Sequence, residues 1–339
     1  MPSIYKLGRS MGEITILPGR LVHRTRPINL FEEGETLFQH ELVKELPPSS
    51  VWDLQNWRIS GLDLVAGRKE ERAFRIRAEQ QQGNHLPAEL PQAGRTNQLE
   101  NAVRLTDWKS GNFFHWITEV VPKILIVKSK FHSFHILLPK RLWRVGFVRE
   151  TFELLGLEPY LLGSGQTILV EHLIWIPDLS PTGNPRPEHL QDVRSFFRDE
   201  LRPHIPDLPA TERIWVSRRK ARRRHILNEP LLEDWLRAND FEVICLEDFT
   251  MLQALGKLQS ARVLAGPHGA GLTNMVFLEP ESSIWEIRRE GDRANNCFFS
   301  MASGLGLPYA FSEARGLFTH RNSPMWLSRE RLVATSAFL

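Results

Sequence analysis

The sequence predicts an α/β fold in two domains, with parallel sheets covered by helices and facing a central cleft. Three observations carry this. The second half alternates short apolar strand-like runs with helix-like runs, the rhythm of a parallel sheet buried on both faces. A stretch holding Pro177, Pro181, Pro185 and Pro187 lies near the middle of the chain and reads as a linker. The 339 residues exceed one ordinary core and suit two domains of roughly 150–170 residues. The expected domains are 1–180, whose first hundred or so residues are irregular or β-rich, and 181–339.

Within the first domain, Ile14–Leu17 and Phe74–Ile76 are strand-like, and 80–97 reads as a loop. Ala102–Leu105 suggests a strand, and Asn112–Lys128 a helix with Ser110 or Asn112 as its cap. A strand at Phe134–Leu138, a helix at Leu142–Leu155 and a strand at Thr167–Ile176 follow. A helix from Pro187 to about Leu201 opens the second domain. Its strands are Arg213–Val216, Phe241–Leu246, Ala261–Ala265 and Ser283–Ile287; its helices are Glu229–Ala238, Thr250–Leu258 and Leu272–Phe277. In open parallel sheets ligands bind at the carboxyl ends of strands, and the chemistry-bearing segments fall there.

Composition narrows the class. Hydrophobic residues make up 42% and charged residues 24%, which is globular. A net charge of +3 does not suit a general polyanion binder. Cys245 and Cys297 form no CxxC and no structural-zinc spacing; they read as small core residues in a reducing compartment, with one disulfide left open. Met1–Lys6 lacks the apolar core of a signal peptide, and no apolar run approaches the ~18–20 residues of a membrane span. The expected location is cytoplasmic, with peripheral contact to the inner face of the membrane left open.

Three segments carry candidate chemistry. Gly266-Pro267-His268-Gly269-Ala270-Gly271-Leu272-Thr273-Asn274 follows a buried strand and precedes a helix. Its glycines permit a tight turn and close approach of a ligand, and a helix N-terminus offers free N–H groups to a diphosphate. The plain alternative is an ordinary strand-to-helix turn with a surface histidine. Ser217-Arg218-Arg219-Lys220-Ala221-Arg222-Arg223-Arg224 follows another strand. Ser217 and Arg218 would face the ligand, and a folded-over loop brings in Arg224; guanidinium groups grip phosphate bidentately. The alternatives are solvated surface charge or a nucleic-acid patch, and the absence of interleaved aromatics disfavours the latter. In the third, Asn112, His115 and Glu119 share one helix face. A His–carboxylate pair there suits general-base work or simply braces the domain.

Absences sharpen the reading. The sequence holds no Asp-x-Asp triplet, GxSxG elbow, HExxH or Walker loop. A phosphate site without carboxylate metal ligands must neutralise a leaving diphosphate with Arg, His and backbone N–H groups.

Asn112-Phe113-Phe114-His115-Trp116 with Glu119 and Pro122, Ser217-Arg218 with Arg224, Ile226 and Asn228-Glu229, and Gly266–Asn274 with Pro280 occur in one order and at one spacing that resemble glycosyltransferase family 61. The resemblance spans roughly Asn101–Tyr309. It implies a GT-B fold of two Rossmann-like domains, a donor nucleotide in the C-terminal one, inversion at the anomeric carbon, and no divalent metal or other cofactor. Its bacterial members often serve capsular or extracellular polysaccharide assembly. The expected partners are a nucleotide-sugar donor and a saccharide or glycan acceptor, with no nucleic acid. Expected donor contacts are Ser217, Arg218, Arg224, Pro267, His268, Gly269, Ala270, Gly271, Thr273 and Asn274, with His115 or Glu119 as base, supported by Asn112 and Trp116. A nucleotide-sugar epimerase and a non-catalytic basic binding module stand as the competing readings.

Overall fold

The computed structural model describes residues 12–29, 36–60, 97–131, 133–221, 223–320 and 322–337. The expected strand at 74–76 and the loop expected from residue 80 up to 96 lie outside them. The chain forms two compact units, residues 1–20 with 46–182 and residues 21–45 with 183–339. Among the described residues, no helix is long and apolar enough to cross a membrane.

The first half of the chain contains β1 (Gly12–Leu17), β2 (Arg20–His23), β3 (Val43–Leu46), β4 (Ser49–Ser60), β5 (Asn97–Arg104), β6 (His135–Pro139), β7 (Tyr160–Leu162) and β8 (Thr167–Trp175). Strands β2 and β3 pair with each other; the others form one sheet in the order β1-β4-β8-β5-β6-β7. Strands β8, β5, β6 and β7 run parallel, whereas β1 and β4 are antiparallel to their neighbours. The sheet is therefore mixed where the sequence predicted a parallel one. Parallel pairing needs a long crossover, usually helical. Between β1 and β4 the described residues offer only the four-residue helix Gln39–Leu42, so these strands join antiparallel at the edge.

Leu54, Trp57, Val170, Leu173 and Trp175 fill the core on one face of this sheet. The order reverses at β5, which has β6 on one side and β8 on the other. The helical path after β5 starts at Phe113–His115, widens into a π turn at Trp116–Val120 and continues as α1 (Val121–Lys130). Pro122 lies in the first turn of α1 and has no N–H to donate. The wide turn just before it absorbs that loss: Val121 N–H reaches back to the Trp116 carbonyl. Helix α2 (Gly146–Leu154) follows β6.

The second unit contains α3 (Pro187–Ser195), β9 (Arg213–Val216), α4 (Glu229–Ala238), β10 (Phe241–Ile244), α5 (Met251–Leu258), β11 (Val263–Pro267), β12 (Ser283–Arg289), α6 (Cys297–Gly304), β13 (Tyr309–Gly316), β14 (Met325–Trp326) and α7 (Arg329–Ser336). Its sheet has the order β10-β9-β11-β12-β13-β14, parallel except for β14. In chain order the five parallel strands read second-first-third-fourth-fifth, a doubly wound arrangement whose direction reverses between β9 and β11. Trp215, Leu236, Trp285, Ile287, Ala310 and Leu332 pack as one core. Thr250 and Gln253 form a capping box at the start of α5.

Some expected helices differ. The stretch Leu142–Leu155 divides into a 3-10 turn, Leu142–Arg144, and α2. Ala270–Phe277 is a 3-10 helix rather than an α-helix at Leu272–Phe277. Leu272 N–H closes on the Gly269 carbonyl at 2.9 Å, and the Asn274 side chain donates to the Gly271 carbonyl at 2.8 Å. These three-residue closures draw the backbone tighter than an α turn. Runs of this length are uncommon for 3-10 geometry, and such stretches tend to mark functional segments.

Candidate functional site

Each unit holds a polar cluster that contains candidate residues. In the second unit the reversal between β9 and β11 places Ser217-Arg218 and His268-Gly269 at adjacent carboxyl ends. The two strand ends approach so closely that side chains are excluded between them. A Cβ on Gly266 would lie 2.7 Å from the Val216 carbonyl oxygen, and one on Gly269 would overlap the Arg218 guanidinium. Glycine at 266, which meets backbone, is therefore a packing requirement, whereas a side chain at 269 would have to push the Arg218 guanidinium aside.

Arg218 donates through Nε and Nη2 to the Arg223 carbonyl, at 3.3 and 3.0 Å, which folds the basic loop back on itself. Arg224 takes a left-handed backbone conformation, φ 56°, and its Nε is buried without a hydrogen-bond acceptor. Burial, and then the Arg224 charge, push Arg218 down to about 10, against the opposing pull of Glu247. Burial also lowers Arg224, although Cys297, Glu286 and Asp292 oppose the shift. Two half-buried guanidiniums are thus held near one another, and neither forms an ion pair among the described residues. Such an arrangement is suited to an anion.

The remaining candidates of this unit divide. His268 is buried, its Nδ1 bonded to the Oε1 of fully buried Glu286. Thr273 is fully buried, with a hydroxyl that has no hydrogen-bond partner among the described residues. Pro267 ends β11, Ala270 and Gly271 open the 3-10 helix, and Asn274 lies in its second turn. Ser217 is committed elsewhere: its hydroxyl donates to Glu229 Oε2 at 2.6 Å, and Trp215 Nε1 donates to the other oxygen of that carboxylate, also at 2.6 Å. Ser217 thus shapes the strand end. Arg222 lies outside the described residues.

Glu286 carries no motif, so the sequence reading missed it; the signal was a lone carboxylate inside the apolar strand Ile284-Trp285-Glu286-Ile287, which must find partners. Tyr309 donates to its Oε2 at 2.5 Å. Burial resists the charge on Glu286, but His268 and Arg288 outweigh it and hold the carboxyl below its usual range. Burial and then Glu286 raise the Tyr309 phenol well above its ordinary value.

In the first unit, Asn112 caps the helical path by accepting from Phe114 N–H at 2.9 Å. His115 Nδ1 meets Glu119 Oε1 at 2.9 Å, so the i, i+4 pair forms despite the π turn. The His115 side chain is 21% exposed and that of Glu119 only 8%. Trp116 is fully buried and donates to Thr151 Oγ1 at 2.9 Å, bracing the helix against α2.

Lys109 and Asp178, which carry no motif, join this cluster from the segments beyond the carboxyl ends of β5 and β8. Lys109 Nζ lies within 3.2 Å of one oxygen from each of Asp107, Glu119 and Asp178. Lys123 meets the other oxygen of Asp178 at 3.3 Å. The three carboxylates lie within 4.8 Å of one another, close enough for a hard cation. The Lys109 ammonium already stands among them, so these residues do not fit a metal unless it is displaced.

The family model described as Glycosyltransferase 61 matches residues 113–285, a span that contains the His115–Glu119 pair, the basic loop and the glycine turn. The EGF domain-specific O-linked N-acetylglucosamine transferase of Drosophila melanogaster is 32% identical over 118 residues, which cover 33% of this chain and 22% of that protein. The match thus spans about a fifth of that relative's length.

Proposed function

The chain belongs to the glycosyltransferase 61 family and is a glycosyltransferase, and from that premise we propose an inverting, metal-independent enzyme of GT-B architecture. It moves a sugar from a nucleotide-sugar donor to an acceptor hydroxyl, in capsular, extracellular or other glycan assembly. The observation that carries this reading is the contact between Arg218 and the Gly269 turn, with Arg224 nearby, at the reversal point of a doubly wound sheet. That is where such sheets bind nucleotides, and cationic side chains there do what a metal does in other transferases.

In the proposed reaction the donor diphosphate occupies the Pro267–Thr273 turn and the two guanidiniums. The acceptor oxygen loses its proton to a base and attacks the anomeric carbon opposite the leaving phosphate. The carbon–oxygen bond to the diphosphate breaks, and the nucleoside diphosphate leaves with the electron pair, inverting the centre. Of the two base candidates, His115 is the better suited. Glu119 is engaged by both His115 and Lys109, so it orients the ring and leaves Nε2 for the acceptor. The fly relative's name makes N-acetylglucosamine the first donor sugar to try.

A panel of nucleotide sugars, read by thermal stabilisation and then by product analysis, tests the reading. A ligand that binds only the folded chain raises its melting temperature. A transferred sugar of inverted configuration, formed in the presence of chelator, supports it. Isomerised donor formed without acceptor supports the epimerase, and steeply salt-dependent nucleic-acid binding without nucleotide preference supports the basic module.

A further inference from the structure

The fully buried carboxylate of Glu286 is bonded to His268 of the glycine turn. Its oxygens are divided: Oε1 bonds His268 Nδ1 and Oε2 accepts from Tyr309. Arg288, its neighbour along β12, spends its Nη2 on the Asp292 carbonyl and Asn296 Oδ1 and lies over the Phe38 ring, 4.6 Å from its centre. His268 is the group that directly faces Glu286 Oε1. The ring is also fixed from α6, where Phe298 packs edge-on at 4.9 Å between centroids.

Building on the donor site above, we infer that Glu286 is a positioning residue that makes His268 a two-proton donor. Nδ1–H is donated to Glu286, and Nε2–H to a phosphoryl oxygen of the bound diphosphate. A neutral imidazole that donated through Nδ1 would turn a lone pair toward the phosphate and repel it. A carboxylate on one side and a phosphate on the other keep both protons on the ring.

Other charges surround the pair: Arg224 and Arg288 each interact with Glu286 and with Asp292. Tyr309 and Cys297 are held neutral, since burial and then Glu286 push the phenol up and the thiol up to about 12. Of these charged groups, Glu286 is the one in direct hydrogen-bond contact with the ring.

Glu286→Gln keeps the shape and the acceptor oxygen but removes the charge. The experiment measures inorganic pyrophosphate affinity by calorimetry for the full chain and the variant from pH 5.5 to 8. Taking the ratio of variant to wild type at each pH cancels the probe's own titration. The expected result is a loss of about tenfold or more at pH 8, shrinking to within about threefold at pH 5.5, where an imidazole of ordinary pKa near 6.5 carries both protons unaided. An equal loss at every pH, or no loss, overturns the inference. Nitrogen-15 spectra of His268 in the wild-type complex at pH 7.5 decide the matter even if the variant does not fold. Two protonated ring nitrogens support it, and a neutral ring ends it. Failure of the wild type to bind pyrophosphate at all would instead refute the donor-site reading.

Discussion

The guanidinium of Arg218 lies against Gly269 so closely that a single methyl group on that glycine would overlap it. Each begins the connection that leaves its strand, and they meet because β9 and β11 are parallel neighbours. This contact converts two unremarkable segments, a basic run and a glycine turn, into one cationic cradle.

Replacing Arg218 with alanine should weaken nucleoside diphosphate binding by about 10- to 100-fold, the effect of losing a charge-assisted hydrogen bond worth about 1.5–3 kcal/mol. Calorimetry with and without the substitution measures it. The melting temperature of the unliganded protein should not fall, because the change also removes the repulsion between Arg218 and Arg224.

Gly269→Ala should displace Arg218 and reproduce most of that affinity loss. In an Arg218→Ala background the same alanine should cost little further affinity. A double-mutant cycle gives the coupling between them, and simple additivity would show that the glycine serves something other than the arginine.

His115→Ala should lower kcat by about 10²- to 10⁴-fold, the range of general-base catalysis, with nucleotide affinity unchanged. Glu119→Gln retains the hydrogen bond to the ring but not its charge, so its deficit should be smaller than that of His115→Ala. Steady-state rates of the two variants, with nucleotide affinity measured alongside, separate the two roles.

Lys109→Met would strand Asp107, Glu119 and Asp178 together, at a cost of about 3–5 kcal/mol, as when one partner is removed from a buried ion pair. Burial opposes the charge on Lys109, but Glu119, Asp178 and Asp107 outweigh it and raise its pKa. Burial opposes ionisation of Asp178, but Lys123 and Lys109 lower its pKa. The raised ammonium contributes stability that is fully present below the unfolded lysine value near 10.4 and is lost as pH rises through the folded pKa. The lowered carboxyl contributes stability present above the unfolded value near 3.9 and lost as pH falls through the folded pKa. Wild-type stability from this cluster should therefore hold between roughly pH 4 and 10. In the variant, denaturant midpoints should rise from pH 7 to 5 as the crowded carboxylates take up protons.

Transfer activity should survive exhaustive chelation, since the cationic groups assigned to the leaving diphosphate belong to the chain itself. A rate that collapses with EDTA and returns with Mg or Mn would overturn the metal-independent reading.

Local pattern made part of this legible in advance. Arg213–Val216 and Glu229–Ala238 form at the expected bounds, because each is a short apolar run or an amphipathic stretch with clear ends. The His115–Glu119 contact follows from helical spacing alone. The partners that complete each cluster were hidden by chain distance. Lys109 and Asp178 meet only because β5 and β8 lie side by side, although β8 comes three strands later in sequence. Glu286 reaches the ligand turn because β12 pairs with β11 in a register that sets it opposite Gly266. The return of residues 21–45 to the second unit left no local signature either, since neither periodicity nor turn chemistry encodes a tertiary destination.

The paired guanidiniums bear on how the catalytic cycle ends. Cleavage leaves a terminal phosphate where the donor had a sugar ester, so the departing nucleotide carries roughly one more negative charge than the molecule that arrived. On the proposed donor site, Arg218 and Arg224 would therefore grip the spent nucleotide harder than the fresh one. Turnover should then be paced by its escape, with competitive inhibition by nucleoside diphosphate as the kinetic mark.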